Sequence, residues 1–205
     1  VIVPALNEEA AVGAAVASAV REEAEVIVVD GGSRDRTAAV ALDSGARLIR
    51  SAAGRALQQN QGAALAQGRV LLFLHADTRL PEDYMTHVFE TLMDRRAAAG
   101  AFRFKCDMEH PGMGLIERAV NIRSGGLGLP YGDQGIFLRR EVFFREGGFP
   151  EVAIAEDLLL MRRLRKRGRI VQAPAAAVTS GRRWQKLGLI RATFINAVIA
   201  LGCLI

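Results

Sequence analysis

The amino-acid sequence predicts an α/β domain in which helices cover both faces of a mostly parallel sheet. In the first hundred residues, short apolar runs alternate with segments whose apolar residues have helical spacing. The runs are apolar throughout, which is typical of strands that are buried on both faces of a parallel sheet. The chain has 205 residues, and 50% of them are hydrophobic, so it can form one domain of ordinary size with a substantial core.

The first half of the chain contains four predicted strands with helices between them. The strands are VIVPAL, EVIVVD, ARLIR and RVLLFLHAD, and the helices are EEAAVGAAVASAV, RDRTAAVALDSG and GRALQQNQGAALAQG. Gly45 is expected to cap the end of the second helix, because glycine readily adopts the left-handed conformation found there. Pro81 lies at the expected start of a fourth helix, which runs to about Arg95.

The pattern is less regular after residue 97 and predicts a smaller, mixed region. AGAFRFKCD alternates like a strand, MGLIERAVNIR predicts an amphipathic helix, and SGGLGLPYGDQG predicts a glycine-rich loop. GIFLRREVFFREGGF predicts a strand and a helix ending at Gly147 and Gly148, followed by a helix in EDLLLMRRLRKRG and a strand in RIVQAP. Because no linker-like segment interrupts the chain, we predict a single domain of residues 1–186, with halves at 1–96 and 97–186.

The charge of the chain favours anionic partners. The formal net charge is +5, and the basic residues are concentrated in MRRLRKRGR and GRRWQK. Such a balance fits nucleotides, nucleic acid or anionic lipid. The 12 aromatic residues are not interleaved with the basic runs, so a stacking surface for single-stranded nucleic acid is not expected.

The cysteines indicate the cellular compartment, and the chain ends indicate whether the sequence is a fragment. Cys106 and Cys203 are nearly a hundred residues apart and lack the spacing of metal ligands. This usage argues against a disulfide scaffold or a zinc site and fits a reducing compartment such as the cytoplasm. The chain starts without Met directly in a predicted strand and ends abruptly in ALGCLI, so we expect a fragment cut at both ends.

Polar residues follow three of the predicted strands at equivalent positions. Asn7 and Glu8 follow the first strand, Asp30 ends the second, and Asp77 follows the fourth. Any one of them could be only a helix cap, because Asn and Asp often have that role. Open parallel sheets bind ligands beyond the carboxyl ends of their strands, so three together favour a ligand site.

Asp30 is followed by the sequence GGS. Gly31 and Gly32 would let the backbone approach a ligand closely, and Ser33 could cap the next helix. The segment has neither the G-x-G-x-x-G fingerprint nor a P-loop, so dinucleotide binding and P-loop chemistry are not supported. The carboxylate of Asp77 is the kind of ligand that a hard divalent cation prefers.

The ordered motifs resemble those of the family 2 inverting glycosyltransferases, which have a GT-A fold with a Rossmann-like sheet. The matching segments span nearly the whole chain and are, in order, VIVPALNEE, VIVVDGGSRDRT, GRALQQNQGAALAQG, VLLFLHADTRLP, GIFLRREVFFREGGFPE, AEDLLLMRRLRKRG and TSGRRW. HADTRLP and LPYGDQG are similar to a short bacterial subgroup of this family. The resemblance implies that residues 1–96 bind a nucleotide sugar and residues 97–186 bind its acceptor.

The resemblance implies a donor-binding surface built from several segments. The loop after the first strand would contact the base and ribose, Asp30 would hydrogen-bond the base, and Arg55 and Asn60 would grip the base and phosphate. The full set of implied donor-binding residues is Pro4, Ala5, Asn7, Glu8, Asp30, Gly31, Ser33, Arg55, Asn60, His75, Asp77 and Arg183.

His75 and Asp77 occupy the positions of the family's D-x-D motif. The last Asp of that motif usually binds the metal, so Asp77 is implied to bind Mn²⁺ or Mg²⁺ as the cofactor. The first Asp usually faces the ribose of the donor, and His75 replaces it here. This departure leaves open which donor is preferred.

Glu156 and Asp157 match the family's E-D motif, whose Asp is the base that takes the proton of the acceptor hydroxyl. Asp157 is therefore the implied base. From the residues alone, a carboxylate favoured by the dipole at a helix start is an equal alternative. The residues expected at the acceptor site are Asp133, Gln134, Glu156 and Trp184, although Asp133 and Gln134 could also simply form a turn.

Arg183 and Trp184 match the Q-x-x-R-W motif of processive family members, with Ser180 in place of Gln. This departure favours a single-addition transferase over a processive polymer synthase. The guanidinium of Arg183 could clamp the diphosphate of the donor with two hydrogen bonds.

The resemblance implies a hexosyltransferase-type reaction. A sugar would pass from a nucleotide-diphospho-sugar to an unknown acceptor hydroxyl, on a lipid or a glycan, with inversion in a single metal-assisted displacement. The alternative, prompted by His75, is a nucleotide-sugar-binding or regulatory module without turnover. A nucleic-acid partner is not expected, and the oligomeric state stays open.

Residues 187–205 are mostly apolar and predict a C-terminal helix. Only 14 residues follow Arg191, and a helix of that length spans roughly 21 Å, less than the ~30 Å of a membrane core. The segment could lie in the interface of an anionic leaflet beside the basic run, which would place the protein peripherally at the inner face of the membrane. It could also begin a longer element or pack on the core.

Overall fold

A curled, eight-stranded mixed sheet with helices on both faces forms the centre of the molecule. The structure is a computed structural model that describes residues 1–202, apart from the side chains at 190, 196, 197 and 199–202. The strands are β1 (Ile2–Ala5), β2 (Ile27–Asp30), β3 (Arg47–Arg50), β4 (Val70–Phe73), β5 (Thr78–Arg79), β6 (Ala97–Cys106), β7 (Ile136–Arg139) and β8 (Arg169–Thr179). Their order across the sheet is β3-β2-β1-β4-β7-β6-β8-β5.

The helices alternate with the strands in the first half of the chain, as predicted. They are α1 (Val12–Ala19), α2 (Thr37–Asp43), α3 (Arg55–Leu65), α4 (Tyr84–Met93), α5 (Met113–Leu127), α6 (Arg140–Arg145), α7 (Glu156–Leu164), α8 (Arg182–Leu187) and α9 (Leu189–Gly202). Gly45 follows α2 with a φ of 93°, so the predicted glycine end of this helix is confirmed.

The prediction of an α/β fold with a mostly parallel first half is confirmed. β1 pairs in parallel with both β2 and β4, and β2 pairs in parallel with β3. β7 then joins the sheet antiparallel to β4 and to β6, while β6 and β8 run parallel. The strand β4 therefore has one parallel and one antiparallel neighbour. One continuous sheet includes strands from both predicted halves, and the division into halves stays a prediction.

The segment SGGLGLPYGDQG is only partly the loop that its glycines predict. The helix α5 continues through Ser124 to Leu127, and the chain leaves it at Gly128, which has a φ of 61°. Ser124 is buried, and Gly125 lies where a Cβ atom would approach the Gln172 side chain to 3.0 Å. Packing against β8 therefore holds these residues in a helix despite their low helix propensity.

Two apolar clusters, one on each face of the sheet, form the main core. Successive strand residues such as Ile2 and Val3 belong to opposite clusters and are both fully buried. This arrangement explains why the strands are apolar throughout. On the α3 face, a Cβ atom at Gly62 would lie 2.5 Å from a methyl carbon of Ile2, so only glycine allows the helix to pack this closely.

A third, smaller cluster attaches the C-terminal segment to the second half of the sheet. It consists of Phe104, Cys106, Met113, Trp184 and Ala192, so it joins β6, α5, α8 and α9. The predicted helix in residues 187–205 is present as α9, although residues 203–205, including Cys203, lie outside the described part. Across the described residues, no helix is both long and apolar enough to cross a membrane.

Candidate functional site

A cavity of about 310 Å³ lies where the chain leaves β4, beside the start of α7 and the end of β8. Its lining residues are Arg55, His75, Asp77, Tyr131, Asp133, Ile154, Ala155, Asp157, Leu158, Thr179, Ser180, Arg183 and Trp184. The cavity therefore brings together candidates from both halves of the chain. A larger groove of about 720 Å³ lies between α4 and α6 and is lined largely by apolar side chains. It contains none of the predicted site residues, so the chemistry points to the smaller cavity.

The loops after β1 and β2 are fastened together by the predicted donor-binding residues. Asp30 is buried and accepts hydrogen bonds from the backbone amide of Ser33, at 3.2 Å, and from the Ser33 hydroxyl. That hydroxyl oxygen accepts a bond from the Asn7 amide at 2.9 Å. The Asn7 side-chain oxygen accepts one from the amide of Arg34, also at 2.9 Å. Asn7 has a φ of 55°, which is uncommon for a residue other than glycine and occurs often at functional loops.

The predicted donor-binding residues Pro4, Ala5 and Gly31 contribute backbone to this region. The Ala5 carbonyl accepts hydrogen bonds from the amide of Gly31 and from the Gln58 side chain, both at 2.9 Å. Gln58 is buried and also donates to the Val29 carbonyl at 2.7 Å. Sequence reasoning did not identify Gln58, since a polar residue within a helix gives no sign of which backbone it contacts.

Glu8 and Asp77 share one cation, the guanidinium of Arg182. The Nη2 atom of Arg182 lies 2.5 Å from Glu8 Oε2 and 3.4 Å from Asp77 Oδ2. Sequence reasoning selected the neighbouring Arg183 instead, which is exposed and lines the cavity. Successive residues on a helix point about 100° apart, so a motif match cannot decide which of two adjacent arginines faces a given partner.

His75 is packed against Gly132 at the cavity. A Cβ atom at position 132 would lie only 2.4 Å from His75 Nε2, so a side chain there would force the imidazole to move. Burial, with a further contribution from the charge of Arg55, lowers the pKa of His75 to about 3. The imidazole is therefore neutral at physiological pH. Its Nε2 atom is buried and has no hydrogen-bond partner among the described residues.

Asp157 is held in place by two backbone amides. Its Oδ2 accepts a hydrogen bond from Gly132 at 2.6 Å, and its Oδ1 accepts one from Leu158 at 2.7 Å. The residue is only 8% exposed but lines the cavity. The bond from Leu158 comes from the next residue of the same helix, whereas the bond from Gly132 ties the carboxylate to a different element. Each oxygen keeps a second lone pair, so the carboxylate can still accept a proton.

Asp133 is a second carboxyl group at the same cavity. Burial, with a smaller contribution from the negative charge of Asp157, raises its pKa to about 7, and the charge of Arg123 opposes this shift. Its Oδ1 atom is buried and has no hydrogen-bond partner in the described part of the chain. A carboxyl group that titrates near neutral pH beside a fixed carboxylate is typical of acid–base sites.

Two residues expected at the acceptor site do not reach the cavity. Gln134 is completely buried, and its amide donates to the Phe102 carbonyl at 2.9 Å and to the Ser124 hydroxyl at 3.0 Å. Glu156 is also buried, and its carboxylate lies 3.3 Å from a guanidinium nitrogen of Arg55. Neither side chain lines this cavity, and the expectation that they contact an acceptor stays a prediction. Gln134 fixes the turn at residues 132–134, and Glu156 positions Arg55.

The remaining predicted residues divide between the cavity and the framework. Arg55 and Trp184 line the cavity, and the Trp184 ring packs on Phe104 with 5.8 Å between ring centroids. Asn60 does not line it. Its side chain exchanges two hydrogen bonds of 2.9 Å with the backbone of Phe149, which ties α3 to the segment after α6. This role needs no ligand, and the expected contact of Asn60 with a donor stays a prediction.

The cavity offers part of a coordination shell for a divalent metal. Searching the described residues finds no group of three His, Cys, Asp or Glu side chains that could hold a metal alone. Asp77 supplies one carboxylate, and Asp133, whose Oδ1 has no hydrogen-bond partner among the described residues, lines the same cavity. Mg²⁺ and similar ions are often bound by one or two protein carboxylates together with substrate phosphates, so the residues fit such a metal.

Residues 1–149 match the model of the family described as "Glycosyl transferase family 2". Because this match covers well over half of the chain, the protein belongs to glycosyltransferase family 2. A search of curated proteins gave no significant match.

Solved structures of low sequence identity share the fold. S. aureus TarS 1–349 has a TM-score of 0.67 at 19% identity over 89% of this chain and 60% of its own. The mannosyltransferase PcManGT from Pyrobaculum calidifontis, in complex with GDP-Man and Mn²⁺, has a TM-score of 0.67 at 21% identity over 96% and 63%. Glucosyl-3-phosphoglycerate synthase from Mycobacterium tuberculosis, with Mg²⁺ and UDP, has a TM-score of 0.69 at 20% identity over 100% and 78%. The chain spans about three fifths of the first two proteins, and the shared fold is the GT-A fold.

The raised pKa of Asp133 predicts a specific dependence of stability on pH. The folded protein keeps this proton up to a pH of about 7, whereas the unfolded chain loses it near the usual value of 3.8. The free energy of unfolding therefore falls as the pH rises from about 3.8 to about 7. Asp133→Asn removes this loss, because the amide has no proton to release. Urea denaturation should show the variant gaining about 1–3 kcal/mol relative to wild type between pH 4 and pH 8. Asp43→Asn, at the exposed end of α2, is the control, and a difference that is independent of pH would contradict the prediction.

Proposed function

We propose that this chain transfers a sugar from a nucleotide-diphospho-sugar to an acceptor hydroxyl with inversion at the anomeric carbon. The observation that carries the proposal is the cavity, which combines a fixed carboxylate, Asp157, with Asp77 and two arginines. Family membership supports glycosyl transfer. Structural neighbours were solved with UDP, GDP-Man and UDP-Glc, which supports a nucleotide sugar as the donor.

The donor would bind across the carboxyl ends of β1, β2 and β4. In this proposal, the linked loops of Asn7, Asp30 and Ser33 receive the base and ribose. Arg55 and Arg183 line the cavity as cations and would bind the diphosphate, which carries the negative charge. Glu156 holds Arg55 through the ion pair at 3.3 Å and so limits the positions that its guanidinium can take.

The metal would be held by Asp77 together with the phosphate oxygens of the donor. A bound Mn²⁺ or Mg²⁺ supplies Lewis-acid stabilisation of the negative charge that develops on the leaving diphosphate. His75, neutral and with an unpartnered Nε2, would face the donor where relatives place a carboxylate. A neutral imidazole can donate or accept one hydrogen bond, whereas a carboxylate only accepts, so the two favour different donor groups.

Asp157 would act as the general base. The acceptor oxygen attacks the anomeric carbon, the bond from that carbon to the diphosphate oxygen breaks, and the hydroxyl proton passes to the Asp157 carboxylate. A single in-line displacement inverts the anomeric centre and needs no covalent nucleophile. The bonds from Gly132 and Leu158 fix the orientation of the carboxylate before the acceptor arrives, which lowers the entropic cost of the step. Asp133 and Trp184 also line the cavity and would contact the acceptor.

Removing the base should suppress turnover. We expect Asp157→Asn to lower the rate by about 10²–10⁴-fold, because the amide cannot take the proton of the acceptor hydroxyl. The measurement is release of nucleoside diphosphate from a panel of UDP- and GDP-sugars with Mn²⁺, with and without lipid extracts as acceptors. Asp43→Asn, remote from the cavity, is the matched loss of a carboxylate. Donor binding without release, identical in wild type and Asp157→Asn, would support a nucleotide-sugar-binding or regulatory module instead.

The two positions of the D-x-D segment should differ in their effects. Asp77→Ala should abolish the stimulation of turnover by Mn²⁺, since it removes the protein carboxylate that would hold the metal. His75→Asp should retain that stimulation and change the order of preference among the donors. Rates at several Mn²⁺ concentrations with the same panel of nucleotide sugars measure both effects. A wild-type response to Mn²⁺ by Asp77→Ala would contradict the assignment of the metal.

We also propose that the protein works in the cytoplasm and contacts the inner face of a membrane through α9. From residue 158 to the end, the chain has ten Lys or Arg residues and no Asp or Glu. On α9, Phe194 and Val198 are 67% and 50% exposed and lie one turn apart. Exposed apolar side chains on a helix beside basic charge favour an anionic lipid surface. Such a surface would bring a lipid acceptor close to the cavity.

Binding to vesicles tests this contact. Replacing both Phe194 and Val198 with Ser should weaken co-sedimentation with phosphatidylglycerol vesicles about tenfold, because their apolar surface no longer enters the interface. Phe89→Ser removes an exposed phenylalanine from α4 and is the control. Equal sedimentation of the double variant and wild type, or no preference for anionic over neutral vesicles, would contradict the proposal.

A further inference from the structure

The contact of Arg182 with two carboxylates joins three distant segments of the chain. Arg182 begins α8, Glu8 follows β1, and Asp77 follows β4. The same nitrogen, Nη2, lies 2.5 Å from the Glu8 carboxylate and 3.4 Å from the Asp77 carboxylate. The two carboxylates are therefore within about 6 Å of each other across one cation. None of the motifs discussed above assigns a role to Arg182.

Two carboxylates at this separation need a positive charge between them. Like charges this close repel each other, and a cation placed between them offsets that repulsion. In the present structure the cation is the guanidinium of Arg182. The metal assigned to Asp77 would supply positive charge to the same carboxylate. A metal held by Asp77 would therefore compete with Arg182 for this carboxylate, whose Oδ2 contacts the guanidinium.

We infer that Arg182 is a resident counter-cation of the donor site, which neutralises Asp77 and Glu8 in the donor-free protein and gives up Asp77 when a divalent metal binds. The inference rests on the proposed function, because that proposal assigns the metal to Asp77. Arg182 is a positioning residue in this account. It holds the carboxylate in place and does not touch the reacting atoms.

The lengths of the two contacts indicate how the exchange proceeds. The contact with Asp77 is 0.9 Å longer than the contact with Glu8, so it is the weaker of the two. The side chain of Arg182 is 40% exposed, and ion pairs between partly exposed groups contribute little to stability. A divalent ion has twice the charge of the guanidinium and can displace it from Asp77. Arg182 can meanwhile stay on Glu8.

Replacement of Arg182 by a metal at Asp77 is expected to change the surroundings of Trp184, the only tryptophan of the chain. Trp184 lies two residues after Arg182 in α8, lines the cavity and packs on Phe104. Release of Arg182 from Asp77 loosens the attachment of α8 at its first residue. The fluorescence of Trp184 should therefore change when metal binds, which gives a signal independent of turnover.

The test is a titration of the donor-free chain with Mn²⁺, in which free Mn²⁺ is measured by electron paramagnetic resonance and Trp184 fluorescence is recorded in parallel. Arg182→Gln should bind Mn²⁺ about two- to fivefold more tightly than wild type, since its competitor for Asp77 is gone. Arg182→Lys keeps the charge and should behave like wild type. Lys186→Gln removes one positive charge from the exposed last turn of α8 and should leave the affinity unchanged. Asp77→Asn should lose this binding.

The outcomes separate the inference from the proposed function. If Asp77→Asn loses Mn²⁺ binding while Arg182→Gln binds as wild type or more weakly, the inference is overturned and the metal assignment stands. If wild type and Arg182→Gln both fail to bind Mn²⁺ at Asp77, the metal assignment fails and the inference fails with it. If Arg182→Gln does not fold, Arg182→Lys decides. Lysine keeps the positive charge and should leave the Mn²⁺ affinity within about twofold of wild type, and an affinity above that range overturns the inference.

Discussion

The geometry of the cavity depends on one hydrogen bond, from the Gly132 amide to the Asp157 carboxylate. This bond joins the first turn of α7 to the short turn before β7, and His75 at the end of β4 packs against the same glycine. Gln134 anchors this turn, because it is buried and its amide donates hydrogen bonds to Phe102 and Ser124. Asp157, His75 and the turn that carries Asp133 therefore meet at Gly132, and a shift there would displace all three.

The first half of the fold could be predicted from the sequence because its signals are local. Residues such as Ile2 and Val3 are both apolar, so the strand must be buried on both faces, and helices on each side follow from that requirement. The direction in which β7 pairs with β4 could not be predicted, because it depends on residues more than sixty positions apart. The helical conformation of Ser124 to Leu127 was missed for a similar reason. Packing against β8 outweighs the local preference of the glycines there.

The sequence predicted those cavity residues that belong to a motif. It did not predict residues whose role depends on which side chains they contact in the fold. Asp77, Asp157 and Arg55 line the cavity, as expected from motif positions. Gln134 and Glu156 are adjacent in sequence to cavity residues but point into the protein, because neighbouring side chains on a helical turn face different directions. Arg182 and Gly132 were overlooked. An arginine beside a matched arginine, and a glycine among other glycines, give no signal until the fold shows what lies opposite them.

The packing of His75 on Gly132 also constrains how these two positions can change over time. With histidine at position 75, any side chain at position 132 would meet the imidazole at 2.4 Å. A chain with aspartate at position 75 has a shorter side chain there and leaves more room for a Cβ atom opposite. Loss of the glycine can therefore follow loss of the histidine but cannot easily precede it. The residue at position 75 thus limits which side chains can be accommodated at position 132, 57 residues later in the chain.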